Sequence, residues 1–291
     1  MPESIRSKIG FGCVGLSAQP FERTALNLLY SAFNSGITHF DTAPLYGKGY
    51  SEKILGKFLK KHRKEVTITT KFGLSGGETK IPSSVALPLN YFRKKIKKQP
   101  EIKDTFREPG LLSYRSIDVS SIQKSLETSL RNLRTDHIDY YLLHEAMPQF
   151  LTEEAISFVL SLKQKGIIKK IGIASSYPNF TVDQLQSTKE WDILQYENSL
   201  LHPSDYLINT FPQKEHFYHS ILKPLKYKNV KLSIQKEIAG ILLAKALKNN
   251  CRRLLFSSSK PENIKQNIFN VENYSNYPVS QLDSILADAF Y

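Results

Sequence analysis

Cysteine is almost missing from this chain, which holds only Cys13 and Cys251 among 291 residues. Two thiols cannot build a disulfide framework or a cysteine metal cluster, and so small a supply fits a reducing compartment. Missing too is any uninterrupted apolar run near the roughly 20 residues that a membrane span requires. The first segment, MPESIRSKIGFGCVGLSAQPFER, carries no long apolar stretch after a basic start. The expectation is a soluble, cytoplasmic chain with no signal peptide and no membrane partner. Zinc-finger spacing, RNA-binding aromatic motifs, internal repeats and low-complexity linkers are likewise not found.

What is present in excess is positive charge, with 40 Lys and Arg against 27 Asp and Glu for a formal net charge of +13. Such a balance suits a nucleic-acid or membrane partner, or a field that draws in small anionic ligands, and its distribution decides between them. The densest run is Arg93, Lys94, Lys95, Lys97 and Lys98 in NYFRKKIKKQP, followed by acids at Glu101, Asp104 and Glu108. We read it as a solvated helix face inside a long connection; nucleic-acid binding through it is the less favoured alternative. At 41% hydrophobic the chain can bury a large core, and its length suits one large α/β domain as well as two smaller ones; with no linker to split it, one domain over residues 1–291 is expected.

Short β-rich apolar segments recur at Ile9–Val14, Ile37–Phe40, Val66–Thr70, Ile138–Leu143, Lys170–Ala174, Ile193–Tyr196, Phe217–Leu222 and Arg253–Phe256. Helical periodicity fills the gaps: Phe21–Asn34, Ser51–Lys61, Val119–Leu133 behind an Asp118 cap, Glu153–Lys165 ending at Gly166, Val182–Thr188, Leu232–Leu247 and Pro261–Val271. Alternation of this kind builds a parallel sheet, and eight units can close into a (β/α)8 barrel without an exposed edge. An open doubly wound sheet is the rival. GFGCVG, with Gly10, Gly12 and Gly15, lacks the spacing of a dinucleotide fingerprint, and the expected helix does not open behind it.

One connection is long, from Gly73 to Ile117, and in a barrel it would stand on the catalytic rim as a loop or lid with Tyr91, Phe92, Phe106 and Tyr114 as candidate pocket aromatics. Four polar residues end strands or follow them closely: Asp41 after ITHF, Tyr46 in THFDTAPLYGKGYSE, Lys71 after VTITT and His144 after IDYYLL. Singly, each has an ordinary structural role as a cap, a loop aromatic, a snorkelling lysine or a core histidine. Together, at the shared C-terminal mouth of a barrel, they make a candidate site.

These motifs, with TTKFG, KKIGIASS, LQYENSLL and SSSKPENIKQN, resemble the aldo-keto reductase family from about Gly10 to Phe269. The resemblance implies a (β/α) barrel, hydride transfer with a nicotinamide dinucleotide, and a tetrad of Asp41, Tyr46, Lys71 and His144. It implies cofactor contacts at Ser175, Gln195, His219, Ser220, Leu222, Ser258, Ser259, Lys260, Asn263 and Asn267. Relatives usually read Ser-Asn where this chain has Ala174, Ser175 and Ser176, and Tyr-Ser-Pro-Leu where it has His219, Ser220, Ile221 and Leu222. Either His219 or, with a one-residue register shift, Tyr218 would be the aromatic beside the nicotinamide. NADPH is the expected cofactor and NADH stays open, because arginine is missing near Ser259 and Asn263 and Lys260 offers only a point charge.

A carbonyl that accepts hydride develops alkoxide charge and needs a proton donor, for which Tyr46 is the candidate. A phenol with an ordinary pKa of about 10 is a sluggish acid, but a cation about 4 Å away contributes roughly 4 kcal/mol at an effective dielectric near 20. Lys71 is expected to supply that charge and Asp41 to keep Lys71 protonated. The expected partner is a small carbonyl or sugar-type alcohol, acted on by a monomer with no metal. A nucleotide-binding regulatory module with little turnover is the alternative.

Overall fold

The computed structural model describes residues 5–74, 81–96, 117–145, 150–175, 190–227, 230–231, 233–249 and 251–290. Eight strands close a barrel in chain order: β1 Ile9–Gly12, β2 His39–Asp41, β3 Thr67–Phe72, β4 Ile138–His144, β5 Ile168–Ser175, β6 Ile193–Glu197, β7 Glu215–His219 and β8 Arg253–Phe256. Every neighbouring pair is parallel, β8 returning to β1, so the open-sheet rival is excluded. β1 runs into a 3-10 turn, Cys13–Ala18, and not into the long helix that a dinucleotide fingerprint requires.

Alternation along the strands sorts side chains into two layers. The large core lies outside the barrel, where residues such as Phe11, Phe40, Ile68, Tyr141, Ile171, Tyr196 and Tyr218 meet the helices. The interior is filled by a smaller cluster of Tyr140, Leu142, Ala174, Ile193 and Phe217. Buried His39 sits among them, its ring nitrogens 2.9 Å from Thr67 Oγ1 and 3.2 Å from Thr69 Oγ1, edge-on to Tyr140 and Phe217. This plugged floor leaves the C-terminal mouth as the place for polar chemistry.

The helices Glu22–Asn34, Tyr50–His62, Val119–Leu133, Glu153–Gln164, Gln235–Ala246 and Pro261–Tyr274 occupy the segments read as periodic. Asp118 caps its helix by accepting from the Ser121 amide at 2.8 Å. The helix read at Val182–Thr188 lies outside the described residues. The structure departs from the sequence reading in several places, among them β7, which ends at His219 and not at Leu222, and the short helices Tyr206–Thr210 and Pro224–Tyr227. The connection Gly73 to Ile117 contains a helix, Ser83–Ile96, which takes in the start of the basic run read as a helix face, begins ten residues before that run and tolerates Pro88 in its interior. It is docked through buried Leu87, through Ser83 donating to the Glu22 carboxylate, and through Tyr50 donating to the Ile81 carbonyl at 2.6 Å. A C-terminal helix, Val279–Phe290, was not read from the sequence; it buries Leu282 and Leu286. The side chains of Arg93 to Lys98, and residues Phe106 and Tyr114, lie outside what is described.

Candidate active site

β2 and β3 carry Asp41 and Lys71 into the mouth, where only 3% and 1% of their surfaces remain exposed. The Lys71 ammonium donates to Asp41 Oδ1 at 2.6 Å, to the Thr42 carbonyl at 2.9 Å and to the Tyr46 hydroxyl at 3.5 Å. A buried ammonium is sustained only when oxygen ligands replace its water, and these three do so. Burial is the strongest influence on Lys71 and pulls its pKa down. The Asp41 charge, helped by Tyr46 and the hydrogen bonds, overcomes it and holds the lysine above its ordinary value.

Tyr46 reaches the same point from the loop behind β2. Gly47, Lys48 and Gly49 have φ of 60°, 54° and 86°, three left-handed residues that turn the chain sharply behind the tyrosine. A Cβ on Gly47 would stand 2.2 Å from Ser17 Cβ, so a side chain is excluded there. The phenol ring lies 5.1 Å from Lys71 Nζ and edge-on to His144, with ring centroids 5.9 Å apart at 84°. Burial is the largest influence on the phenol and raises its pKa; Lys71 pulls it down, whereas Asp41 and Glu145 push it up. The balance lies above the ordinary phenol value. The sequence reading expected Lys71 to acidify this group, and its charge does act in that direction, but burial outweighs it.

His144 closes β4 with 7% of its surface exposed, and its Nδ1 has no partner among the described residues. Burial first, then the charges of Lys71 and His219, hold its pKa well below the imidazole range, so the ring is neutral. Directly behind it Glu145 takes φ 53°, a sparsely populated conformation for a side-chain-bearing residue. Glu145 is the mouth residue that the sequence reading missed. Its signal was position alone, one residue past a strand end.

The residues expected to meet a dinucleotide fall into two groups. Register carries a row across three strands, from His144 to Ala174 to Gln195. Gln195 is buried, and its Oε1 has no partner among the described residues, an acceptor that the amide hydrogens of a carboxamide would satisfy. Ser175 donates to Glu145 Oε2 at 3.4 Å, and its carbonyl lies 3.0 Å from His219 Nε2. Ser220 Oγ is 2.9 Å from His219 Nδ1, so the imidazole is pinned on both sides. Tyr218 faces the outer core, its ring 5.4 Å from that of Tyr196, which removes the register-shift alternative. Ser220 is exposed, Leu222 is half-buried, and Ser176 lies outside the described residues.

The second group follows β8. Ser257 donates to the carbonyl of Gly12, which is paired with Asp41 across β1 and β2. Ser258 accepts from the Lys260 amide at 3.2 Å and donates to its carbonyl, and the Ser259 carbonyl accepts from Gln19. Lys260, exposed, stands at the N-terminal boundary of the helix Pro261–Tyr274 without a side-chain capping bond, with Pro261 in the first turn. Asn263 is half-buried on that helix, whereas Asn267 turns into the protein with 5% exposure. Among the described residues no cluster of His, Cys, Asp or Glu could hold a metal, and no helix is long and apolar enough to cross a membrane.

Residues 8–253 match the aldo/keto reductase family. A Glycine max protein named as an aldo-keto reductase is 30% identical over 199 residues, 67% of this chain and 48% of its own length. The NADH-specific methylglyoxal reductase of Escherichia coli is 29% identical over 206 residues, 67% of this chain and 56% of its own. The chain thus spans about half the length of the curated relatives it matches. Among solved structures, an aldo-keto reductase of Bacillus halodurans in its holo form superposes with a TM-score of 0.67 at 21% identity, covering 94% of this chain and 91% of its own. The glycerol dehydrogenase of Gluconobacter oxydans gives 0.68 at 18%, covering 97% and 92%. With its closed parallel barrel and a family match over most of its length, this chain belongs to the aldo/keto reductase family.

Proposed function

We propose that the chain is an NAD(P)H-dependent oxidoreductase that reduces an aldehyde or ketone, or oxidises a sugar-type alcohol, with Tyr46 as general acid. The observation that carries this reading is the Lys71 ammonium held between Asp41 and Tyr46 beside a neutral His144. When bound, the reduced nicotinamide supplies hydride to the carbonyl carbon. Tyr46, protonated near neutrality, gives its proton to the oxygen on which negative charge develops. Lys71 then faces the nascent phenolate, and at 3.5 Å their attraction is about 5 kcal/mol at an effective dielectric near 20. Asp41 keeps that charge in place, and His144 has one N–H with which to orient the substrate oxygen.

Gln195 and Ser175 would hold the carboxamide, with His219, Ser220 and Leu222 along the nicotinamide half. Ser258, Ser259, Lys260, Asn263 and Asn267 would meet the adenosine phosphate at a helix start, where backbone N–H groups favour an anion. NADPH is our choice. The missing arginine and the NADH-specific name of the Escherichia coli relative keep NADH as the second candidate. We read the protein as one domain, a cytoplasmic monomer, its free cysteines buried.

The test is a fluorescence titration with NADPH and NADH, then turnover against a panel of carbonyls and sugars with the cofactor that binds. A dissociation constant of about 1 to 10 micromolar is expected for the preferred dinucleotide, in the common range of substrate constants. Tyr46→Phe should lower turnover at least about a hundredfold while the thermal midpoint and cofactor affinity stay put. Turnover that survives this replacement removes the proton donor. Tight binding without wild-type turnover would instead favour a nucleotide-binding regulatory role.

A further inference from the structure

Tyr46, Asp41 and Lys71 arrive from a loop and two strands, so something must fix the loop against those strands. The helix Tyr50–His62 opens directly behind the Tyr46 loop, and its first turn is tied down on three sides. Ser51 Oγ donates to the Cys13 carbonyl just past β1 at 3.0 Å, and the Ser51 amide donates to the Tyr46 carbonyl at 3.3 Å. Next to it, Glu52 is fully buried, with 0% of its surface exposed. Its Oε1 accepts from the Thr70 hydroxyl at 2.7 Å and its Oε2 from Asn132 Nδ2 at 3.2 Å. Thr70 and Asn132 are buried as well.

A carboxylate withdrawn from water in this way is costly unless donors replace the solvent, and an apolar side chain would pack the same seam without that cost. What the carboxylate adds is direction. Strand alternation turns Thr70 toward the helix layer and Lys71 into the mouth, so Glu52 grips β3 one residue from the ammonium. It stands six positions after Tyr46 in the chain. One rigid turn therefore couples the phenol to the strand that bears its cation.

We propose that Glu52 is a positioning residue of the active site, which sets the distance between Tyr46 and Lys71 through its hydrogen bonds to Thr70 and Asn132. The proposal rests on the reading of Tyr46 as proton donor for its kinetic consequence, but its geometric claim stands alone. Thr70→Val removes one tether at constant shape, and Glu52→Leu removes both. Glu52→Gln is the conservative variant: its carbonyl still accepts from Thr70, and Asn132 can turn its amide to accept from the new N–H.

In Thr70→Val, kcat should fall about tenfold to a hundredfold, the scale of a displacement near 1 Å, while the dissociation constant of NADPH stays within twofold. The alkaline limb of carbonyl reduction should move to higher pH, since a phenol farther from the ammonium holds its proton more tightly. A crystal structure of the variant should show the Lys71 Nζ to Tyr46 Oη separation lengthened beyond 3.5 Å. Glu52→Gln should recover kcat to within about threefold of wild type. A Thr70→Val protein with a lower melting point but unchanged kcat, unchanged pH limb and an unchanged separation makes Glu52 a structural residue only, and the proposal fails. Should the wild type turn over neither a carbonyl nor a sugar-type alcohol, the proposed function falls, and the measured separation still decides the role of Glu52.

Discussion

Replacing Lys71 with methionine keeps most of the buried volume and removes the charge, and the structure sets two separate consequences. The first concerns the phenol. With Nζ 3.5 Å from the Tyr46 hydroxyl, the lost attraction is about 5 kcal/mol at an effective dielectric near 20, between about three and four pH units of phenol acidity. Burial already holds that pKa above its ordinary value, so nothing remains to offset it. Carbonyl reduction should fall by about 10² to 10⁴, the usual worth of a positioned general acid. The second consequence is stability. Asp41 would be left charged and 3% exposed without its cation, a defect that costs about 3 to 5 kcal/mol and lowers the melting temperature on the order of 10 °C. Asp41→Asn combined with Lys71→Met separates the two, because the amide needs no counter-ion. The double variant should recover most of the stability and none of the turnover, read by denaturant unfolding and by single-turnover reduction under saturating NADPH. Recovery of turnover along with stability would refute the electrostatic argument.

Three further outcomes follow from the same structure. His39, His144, His216 and His219 all have pKa values held below the ordinary imidazole value, burial being the first cause in each. The unfolded chain binds protons more readily at these positions, so their stabilising contribution is complete above about pH 6.5 and is lost as pH falls below it, by up to about 1.4 kcal/mol per pH unit for each ring. Denaturant midpoints that stay level from pH 7.5 to 5 would contradict this. Gly56→Ala would place a Cβ 2.1 Å from the Asn132 carbonyl oxygen, where two helices meet backbone to backbone; a loss of about 1 to 3 kcal/mol is expected in chemical unfolding. Gln195→Leu should weaken dinucleotide binding about tenfold in a fluorescence titration, the worth of one hydrogen bond, without lowering the melting temperature, because it removes a buried oxygen that has no partner among the described residues.

The barrel was legible because strands buried on both faces read as short apolar runs, and parallel pairing forces a crossover between each of them. The run FYHSIL misled at one end: its apolar character continues past His219, but Ser220 takes φ 62° and ends the strand there. The basic run starting at Arg93 read as a helix face, but Pro88 hid how far the helix Ser83–Ile96 extends, since an interior proline usually argues against a helix and only tertiary docking through Leu87 reveals why it is tolerated. Asp41, Lys71 and His144 could be grouped from sequence, because topology sends strand ends to one mouth, whereas Tyr46 lies in a loop and joins them by its closeness to β2 and by the family resemblance. The sign of the phenol's shift could not be read there. It depends on how far burial outweighs a cation at 3.5 Å, and burial depth belongs to the packed molecule. For the same reason nothing in the sequence sets Glu52 apart on an amphipathic helix that carries Lys53, Lys57 and Lys60. Three-dimensional contact with Thr70 and Asn132, 18 and 80 residues away in the chain, is what separates a buried tether from a solvated charge. Periodicity reports which face of an element is buried. It is silent on which buried polar atoms find one another, and in this mouth those pairings decide where Tyr46 stands relative to its cation.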